Sequence, residues 1–166
     1  MLLNSPTGGG MTGRDGDASN SNQAGQANDN EKAGEIVSGF ADNRVTLSVT
    51  GNLMFITVEN EAGLSDIHAC LAEGLARGLV RTNMLTLVDA TKFYGIVEWE
   101  AMYDIFRLAP WGSAPPPESR VAYVARDGFF FQLVKIAAGI FPKANHRLFT
   151  DRSAALDWLM EAQSSV

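Results

Sequence analysis

The last third of the chain alternates two short apolar strands with two helices, and this alternation limits the possible folds more than any other feature. Residues 120–126 (RVAYVAR) and 146–150 (HRLFT) have the composition of buried strands. An apolar helical run at 129–141 lies between them, and a second helical pattern follows at 151–159, capped by Thr150 or Asp151. Strands that alternate with helices predict parallel pairing and right-handed crossovers. The chain is therefore predicted to be an α/β protein.

Upstream of this segment, two strands and a helix are predicted. Residues 44–49 and 53–58 are rich in β-branched and apolar side chains, and Gly51-Asn52 between them indicates a tight antiparallel hairpin. Apolar residues then recur at helical spacing, with Ser65 as the predicted N-cap. These residues are Leu64, Ile67, Leu71 and Leu75.

The middle of the chain adds one more strand and one more helix. Residues 84–89 (MLTLVD) form the nearly continuous apolar run of a strand that is buried on both faces. A helix is predicted from about Ile96, with Trp99, Met102, Tyr103 and Phe106 on one face. The predicted order is ββαβαβαβα, a mixed five-stranded sheet with four helices in one domain.

The N-terminal segment differs from the rest in composition. Residues 1–34 consist mainly of Gly, Ser, Asn, Asp and Gln, so they cannot bury enough apolar surface to offset the entropy of ordering. We predict a disordered tail at 1–34 and a folded domain at 35–166, and Met11 is an alternative start.

Charge and cysteine content exclude some functions and favour one compartment. The formal net charge is −6, which argues against binding to nucleic acid or to anionic lipid by electrostatics alone. Cys70 is the single cysteine, so no internal disulfide can form, and we expect Cys70 to be a small core residue. The first residues have neither the basic nor the apolar segment of a secretory signal. These features predict a cytoplasmic protein.

Several segments together resemble STAS domains, and most closely the SpoIIAA-like branch that is grouped with SEC14-type lipid-binding domains. The resemblance covers roughly residues 43–162. The residues that carry it are Met84-Leu-Thr-Leu-Val-Asp89, Phe93-Tyr-Gly95, Arg120-Val-Ala-Tyr-Val-Ala125, Arg147-Leu-Phe-Thr-Asp151 and Ala154-Ala-Leu-Asp-Trp-Leu159. The final Phe-x-Asp-x-x-x-Ala-Leu-x-Trp-Leu pattern is its most specific part. The resemblance implies a single SpoIIAA-like domain without catalytic activity.

One departure from the family bears on regulation. Members that act as anti-sigma-factor antagonists carry a phosphoacceptor serine at the start of the helix after the central strand. Here the corresponding stretch is Lys92-Phe-Tyr-Gly-Ile-Val-Glu98, which contains no serine. Regulation by phosphorylation of that kind is therefore not expected.

The apolar run at 129–141 is the strongest functional signal in the sequence. Gln132 and Lys135 are its only polar residues and occupy one narrow face, whereas a surface helix normally shows a wider polar arc. The run is explained by burial between other elements, by an apolar ligand pocket, or by an exposed patch that docks on a partner or a bilayer. The resemblance implies the second or third explanation. Ligand-binding candidates are Phe93, Trp99, Tyr103, Phe129, Phe130, Leu133 and Ala137, with Trp111 in a nearby loop.

A second hypothesis is a protein-interaction module in signalling, with Asp89, Thr91 and Lys92 as docking residues and a homodimer left open. These residues follow the central strand, at the edge where ligands of open α/β sheets gather. Arg126, Asp127 and Asp151 are expected at the same edge. The alternative reading is that Asp89 and Asp151 only tie loops or cap helices.

No constellation for catalysis, metal or cofactor binding is found in the sequence. An enzyme would have to rely on Asp89, Thr91 and Asp151, none of which is paired as nucleophile and base. His68 and His146 stand apart from any cluster of Cys or carboxylate, so a metal site is not predicted. The predicted function is binding of an apolar, lipid-like ligand or a membrane surface, without chemistry.

Overall fold

The computed structural model describes residues 34–81, 84–108, 119–126 and 129–161, and only the backbone of Trp99, Phe106 and Phe129. Within these ranges the chain forms six strands and four helices. The strands are β1 (Gly34–Phe40), β2 (Asn43–Thr50), β3 (Leu53–Asn60), β4 (Leu85–Phe93), β5 (Ser119–Val124) and β6 (Ala144–Phe149). The helices are α1 (Leu64–Ala76), α2 (Trp99–Leu108), α3 (Phe129–Ile140) and α4 (Arg152–Glu161). The predictions for residues 1–33, Trp111 and Asp127 lie outside the described residues.

The strands form one sheet in the order β1-β2-β3-β4-β5-β6. The first three strands are antiparallel, and β3 to β6 are parallel. Gly51 lies in the β2–β3 turn with a φ of 57°, a conformation that costs glycine little. The α/β class, the hairpin and the parallel pairing predicted from the sequence are confirmed.

The prediction of five strands was wrong, because β1 adds a sixth at the edge of the sheet. The segment Gly34–Phe40 contains two glycines, and Ile36 is its only buried large side chain. It pairs with β2 along its whole length, from Gly34 opposite Val49 to Phe40 opposite Asn43. An edge strand can be held by backbone hydrogen bonds on one side, so it need not show the apolar alternation of a central strand.

Three further details of the elements differ from the sequence predictions. Helix α1 starts at Leu64 after the N-cap Gly63, so Ser65 is not the cap. Instead, a carboxylate oxygen of Asp66 accepts the Gly63 backbone N–H at 3.1 Å, and the other oxygen accepts the Ser38 hydroxyl at 3.1 Å. Helix α2 begins at Trp99 rather than near Ile96. Strand β4 continues past Asp89 to Phe93, so Thr91 and Lys92 lie within it.

The two faces of the sheet are covered unequally. Side chains of β3 and β4 alternate, so that Ile56 and Val88 face a larger core while Phe55 and Leu87 face a smaller one. Helices α1, α2 and α3 contribute to the larger core, and Cys70 of α1 is fully buried there, as predicted. Helix α4 covers the other face through Ala155 and Leu159. The three-helix side contains the candidate site.

Candidate functional site

A cavity of about 110 Å³ lies between the sheet and helices α1, α2 and α3. Its lining comes from strands β3, β4 and β5, the three helices and the segments that connect them. The sheet supplies Ile56, Val58, Val88, Ala90, Phe93 and Tyr123, and the helices supply Leu64, Ile67, Met102, Ile105, Phe130, Leu133, Val134 and Ala137. Ala62, Ile96, Val97 and Phe141 complete it from the connecting segments. Tyr123 alone among these lining residues carries a polar side-chain oxygen or nitrogen.

The segment between β4 and α2 forms the outer wall of the cavity. Ile96 belongs to the lining although 87% of its surface is exposed, so the cavity opens to solvent at this residue. Gly95 lies tightly against its neighbours: a Cβ atom there would be 2.8 Å from the Phe93 ring and 3.0 Å from the Glu61 Cα. Because any side chain at this position would force the segment outward, Gly95 allows the wall to lie close to the protein.

Two aromatic rings meet across the cavity. Phe93 at the end of β4 and Phe130 in the first turn of α3 pack edge to face, with ring centroids 6.0 Å apart. This contact links the sheet to the N-terminal end of α3.

Tyr123 and His146 form a hydrogen-bonded pair beside the cavity. The Tyr123 hydroxyl oxygen is 3.0 Å from Nδ1 of His146, and Nε2 of His146 is 3.0 Å from the carbonyl oxygen of Phe141. Burial lowers the pKa of His146, although the hydrogen bond to Phe141 opposes this shift. Burial also raises the pKa of the Tyr123 phenol. Both side chains are therefore neutral at neutral pH.

The apolar helix α3 faces the cavity with one side and solvent with the other. Leu133, Val134 and Ala137 are buried and line the cavity. Phe131 and Ile136 on the outer side remain 49% and 41% exposed. The ammonium group of Lys135 lies 4.5 Å from the Phe131 ring centroid and partly covers it. The helix therefore has a face toward the cavity and a smaller apolar surface toward solvent.

Four of the seven predicted ligand residues come together at the cavity: Phe93, Phe130, Leu133 and Ala137. Tyr103 does not belong to its lining and is 61% exposed on α2. The side chains of Trp99 and Phe129 lie outside the described residues.

Apart from Phe93, sequence reasoning missed the residues that the strands supply to the lining, Tyr123 among them. The signal that could have located them is alternation within the strands. In β4, Val88 and Ala90 share one face, and in β5 Tyr123 lies beside Val88 in register. A residue opposite Val88 on this face must point toward the same helices.

The proposed docking residues Asp89, Thr91 and Lys92 are engaged in contacts within the chain. One oxygen of Asp89 accepts the Thr91 hydroxyl at 2.7 Å and the Thr91 N–H at 3.1 Å, and the other pairs with Arg152 at 3.0 Å. Burial alone would raise the pKa of Asp89, but these hydrogen bonds outweigh it and the pKa is lowered. Lys92 pairs with Glu59 at 2.8 Å. Asp89 therefore joins strand β4 to the first residue of α4 rather than tying a loop, and a docking role stays a prediction.

Asp151 lies at the start of α4, where it contacts the first turn of the helix. Asp151 precedes α4 and accepts the Ala154 N–H at 2.9 Å, which confirms its predicted role as a cap. The hydrogen bond from the Ser153 hydroxyl contributes most to lowering the pKa of the Asp151 carboxyl. The bond from the Ala154 N–H contributes next. No group of three or more metal-ligating side chains occurs in the part of the chain that the structure describes.

Comparison with known proteins gives a similar solved structure and no match of another kind. No protein-family model matches the chain, and no curated protein matches it. The chain is similar to a solved structure. That structure is an uncharacterized protein of the DUF3478 family with a SpoIIAA-like fold, from Shewanella loihica PV-4. The identity is 18% and the TM-score is 0.48, over 78% of this chain and 94% of that one.

Of the helices in the described ranges, none has the length and hydropathy needed to span a bilayer.

Proposed function

We propose that this chain is a non-catalytic, SpoIIAA-like domain that binds a small apolar molecule in the cavity under α3. The observation that carries the proposal is the cavity itself, which is lined by eighteen residues of which seventeen are apolar. A void of this size normally destabilises a fold because its walls lose packing contacts. A binding role would offset that cost, since a ligand restores those contacts.

The cavity volume limits the ligand. Most pockets for drug-sized ligands measure roughly 300–1,000 Å³. An engineered apolar cavity of about 150 Å³ holds benzene. At about 110 Å³, this cavity accommodates a single ring or the end of an alkyl chain. A longer lipid-like molecule would have to leave through the opening at Ile96 and extend over the surface.

The charges near the opening favour a dissolved ligand over an anionic bilayer. Glu98, Glu100 and Asp104 are exposed on the segment and helix that flank Ile96. The whole chain carries a formal charge of −6. Acidic surfaces are repelled by anionic lipid headgroups. A membrane-binding role would therefore depend on apolar insertion of residues such as Ile96 and Tyr94 alone.

Recovery of a bound molecule tests the proposal. The full chain, purified from its own cells without detergent, is analysed by native mass spectrometry and by solvent extraction. We expect a copurified apolar molecule that is absent from a matched Ala137→Leu preparation, in which the new side chain fills the cavity. Vesicles of neutral and of anionic lipid are mixed with the same protein as a second arm. An empty protein that binds neither toluene nor vesicles would refute the proposal, and binding to vesicles alone would replace it with a membrane role.

A further inference from the structure

The polar edge of the cavity restricts the chemistry of the ligand further. We propose that the bound molecule carries a hydroxyl or N–H group that donates a hydrogen bond to the Tyr123 oxygen. The ligand class is then an apolar alcohol, phenol or amide rather than a pure hydrocarbon or a carboxylate. This inference rests on the proposed function, because it names the ligand of the same cavity.

The contact of His146 with the Phe141 carbonyl fixes the direction of the hydrogen bond between Tyr123 and His146. A backbone carbonyl can only accept, so Nε2 of His146 must carry the hydrogen that reaches the Phe141 oxygen at 3.0 Å. In a neutral imidazole the other nitrogen is then an acceptor. Nδ1 must therefore receive the hydrogen of the Tyr123 hydroxyl, 3.0 Å away.

The Tyr123 hydroxyl keeps the capacity to accept a further hydrogen bond but not to donate one. Because its only hydrogen points to His146, the phenol oxygen can offer a lone pair but no donor. No other hydrogen-bond partner of this hydroxyl is found among the described residues. Tyr123 is one of the residues that line the cavity. A ligand beside it therefore meets an acceptor in otherwise apolar surroundings.

Ligands without a hydrogen-bond donor do not match this acceptor. A hydrocarbon would fill the space and leave the lone pair unused. A carboxylate would place a second acceptor against the first and would lose its hydration in an apolar cavity. Free fatty-acid anions with the headgroup inward are thereby disfavoured. A single hydrogen bond is worth about tenfold in affinity.

The test compares two ring-sized probes, phenol and toluene, by calorimetric or NMR titration of the full chain and of Tyr123→Phe. We expect the variant to bind phenol about tenfold more weakly and toluene unchanged. Tyr103→Phe, which alters an exposed tyrosine outside the cavity, should leave both affinities as they are. If both probes bind and Tyr123→Phe changes them equally, the inference is wrong while the proposed function stands. If neither probe binds the unmodified chain, both fail.

A measurement on the unmodified chain covers the case in which Tyr123→Phe does not fold. The protein is labelled with ¹³C at the tyrosine Cζ carbon, and each probe is added to equal occupancy. We expect phenol to shift the Tyr123 resonance and toluene to leave it nearly in place. Equal shifts for the two probes would overturn the inference.

Discussion

Replacing alanine by leucine should stabilise the protein at the cavity and destabilise it on the opposite face of the sheet. Ala137 of α3 lines the cavity, whereas Ala155 of α4 is fully buried against the opposite face of the sheet and does not belong to the cavity lining. Changing either residue to Leu adds three carbon atoms in a buried place. The pair of variants therefore compares one chemical change in two kinds of packing.

The size of the effect at Ala137 follows from the cavity. At ~24 cal/mol per Å³, the empty volume of about 110 Å³ costs the fold up to ~2.6 kcal/mol. Three added carbons contribute ~2.4 kcal/mol at ~0.8 kcal/mol for each buried methylene. Imperfect fit and the opening at Ile96 offset roughly half of this gain. We expect Ala137→Leu to raise the free energy of unfolding by about 1 kcal/mol.

The matched variant gives the opposite sign. Ala155→Leu has no space to fill, so overpacking should lower the free energy of unfolding by ~1–3 kcal/mol. Both variants are measured by urea denaturation, with the slope of the transition checked for constancy. Ala137→Leu should also abolish toluene binding. If Ala137→Leu destabilises the protein as much as Ala155→Leu does, the reasoning from an open, ligand-sized cavity is refuted.

Three further outcomes are expected. A double-mutant cycle of Asp89→Ala and Arg152→Ala should give a coupling of ~0.5–1 kcal/mol that shrinks in high salt, because the arginine is half exposed; a coupling above ~2 kcal/mol would contradict this. The folded-state pKa of His146 lies below 6.5, so the unfolded chain binds the extra proton and stability falls as the pH drops below 6.5. His146→Gln should flatten that part of the stability curve, and an unchanged slope would exclude His146 as its source. Gly95→Ala should destabilise by ~1–2 kcal/mol because its Cβ would be 2.8 Å from an aromatic ring, whereas Gly139→Ala, with open space around it, should stabilise by ~0.5–1 kcal/mol.

Periodic burial explains which elements could be predicted from the sequence. The alternation of strand and helix after Arg120 reflects burial of the parallel strands between helices on both faces, so its pattern is strong. Strand β1 lacks that pattern because it is an edge strand with only Ile36 deeply buried. Backbone pairing with β2 holds it in place, and backbone pairing leaves little trace in side-chain composition.

The helix α2 shows why the site could be predicted only in part. Aromatic residues suggested a face that includes Tyr103, but the residues of α2 that line the cavity are Met102 and Ile105. Met102 and Ile105 are three residues apart and therefore lie on nearly the same side of the helix. Tyr103 is rotated by about 100° from Met102. The face predicted for α2 therefore included Met102, which lines the cavity, and Tyr103, which does not. The contribution of Tyr123 depends on β5 lying in register with β4, which is a long-range pairing.

The proposed function requires that an apolar molecule enters the space between the sheet and α3. Methyl-labelled protein titrated with toluene and followed by ¹H–¹³C NMR tests it most directly. We predict saturable shifts at Ile56, Val88 and Val134, which line the cavity, with the methyl groups of Leu87 and Leu159 on the other face of the sheet unmoved. Shifts spread evenly over both cores, or no saturable shift at any methyl group, would contradict the account.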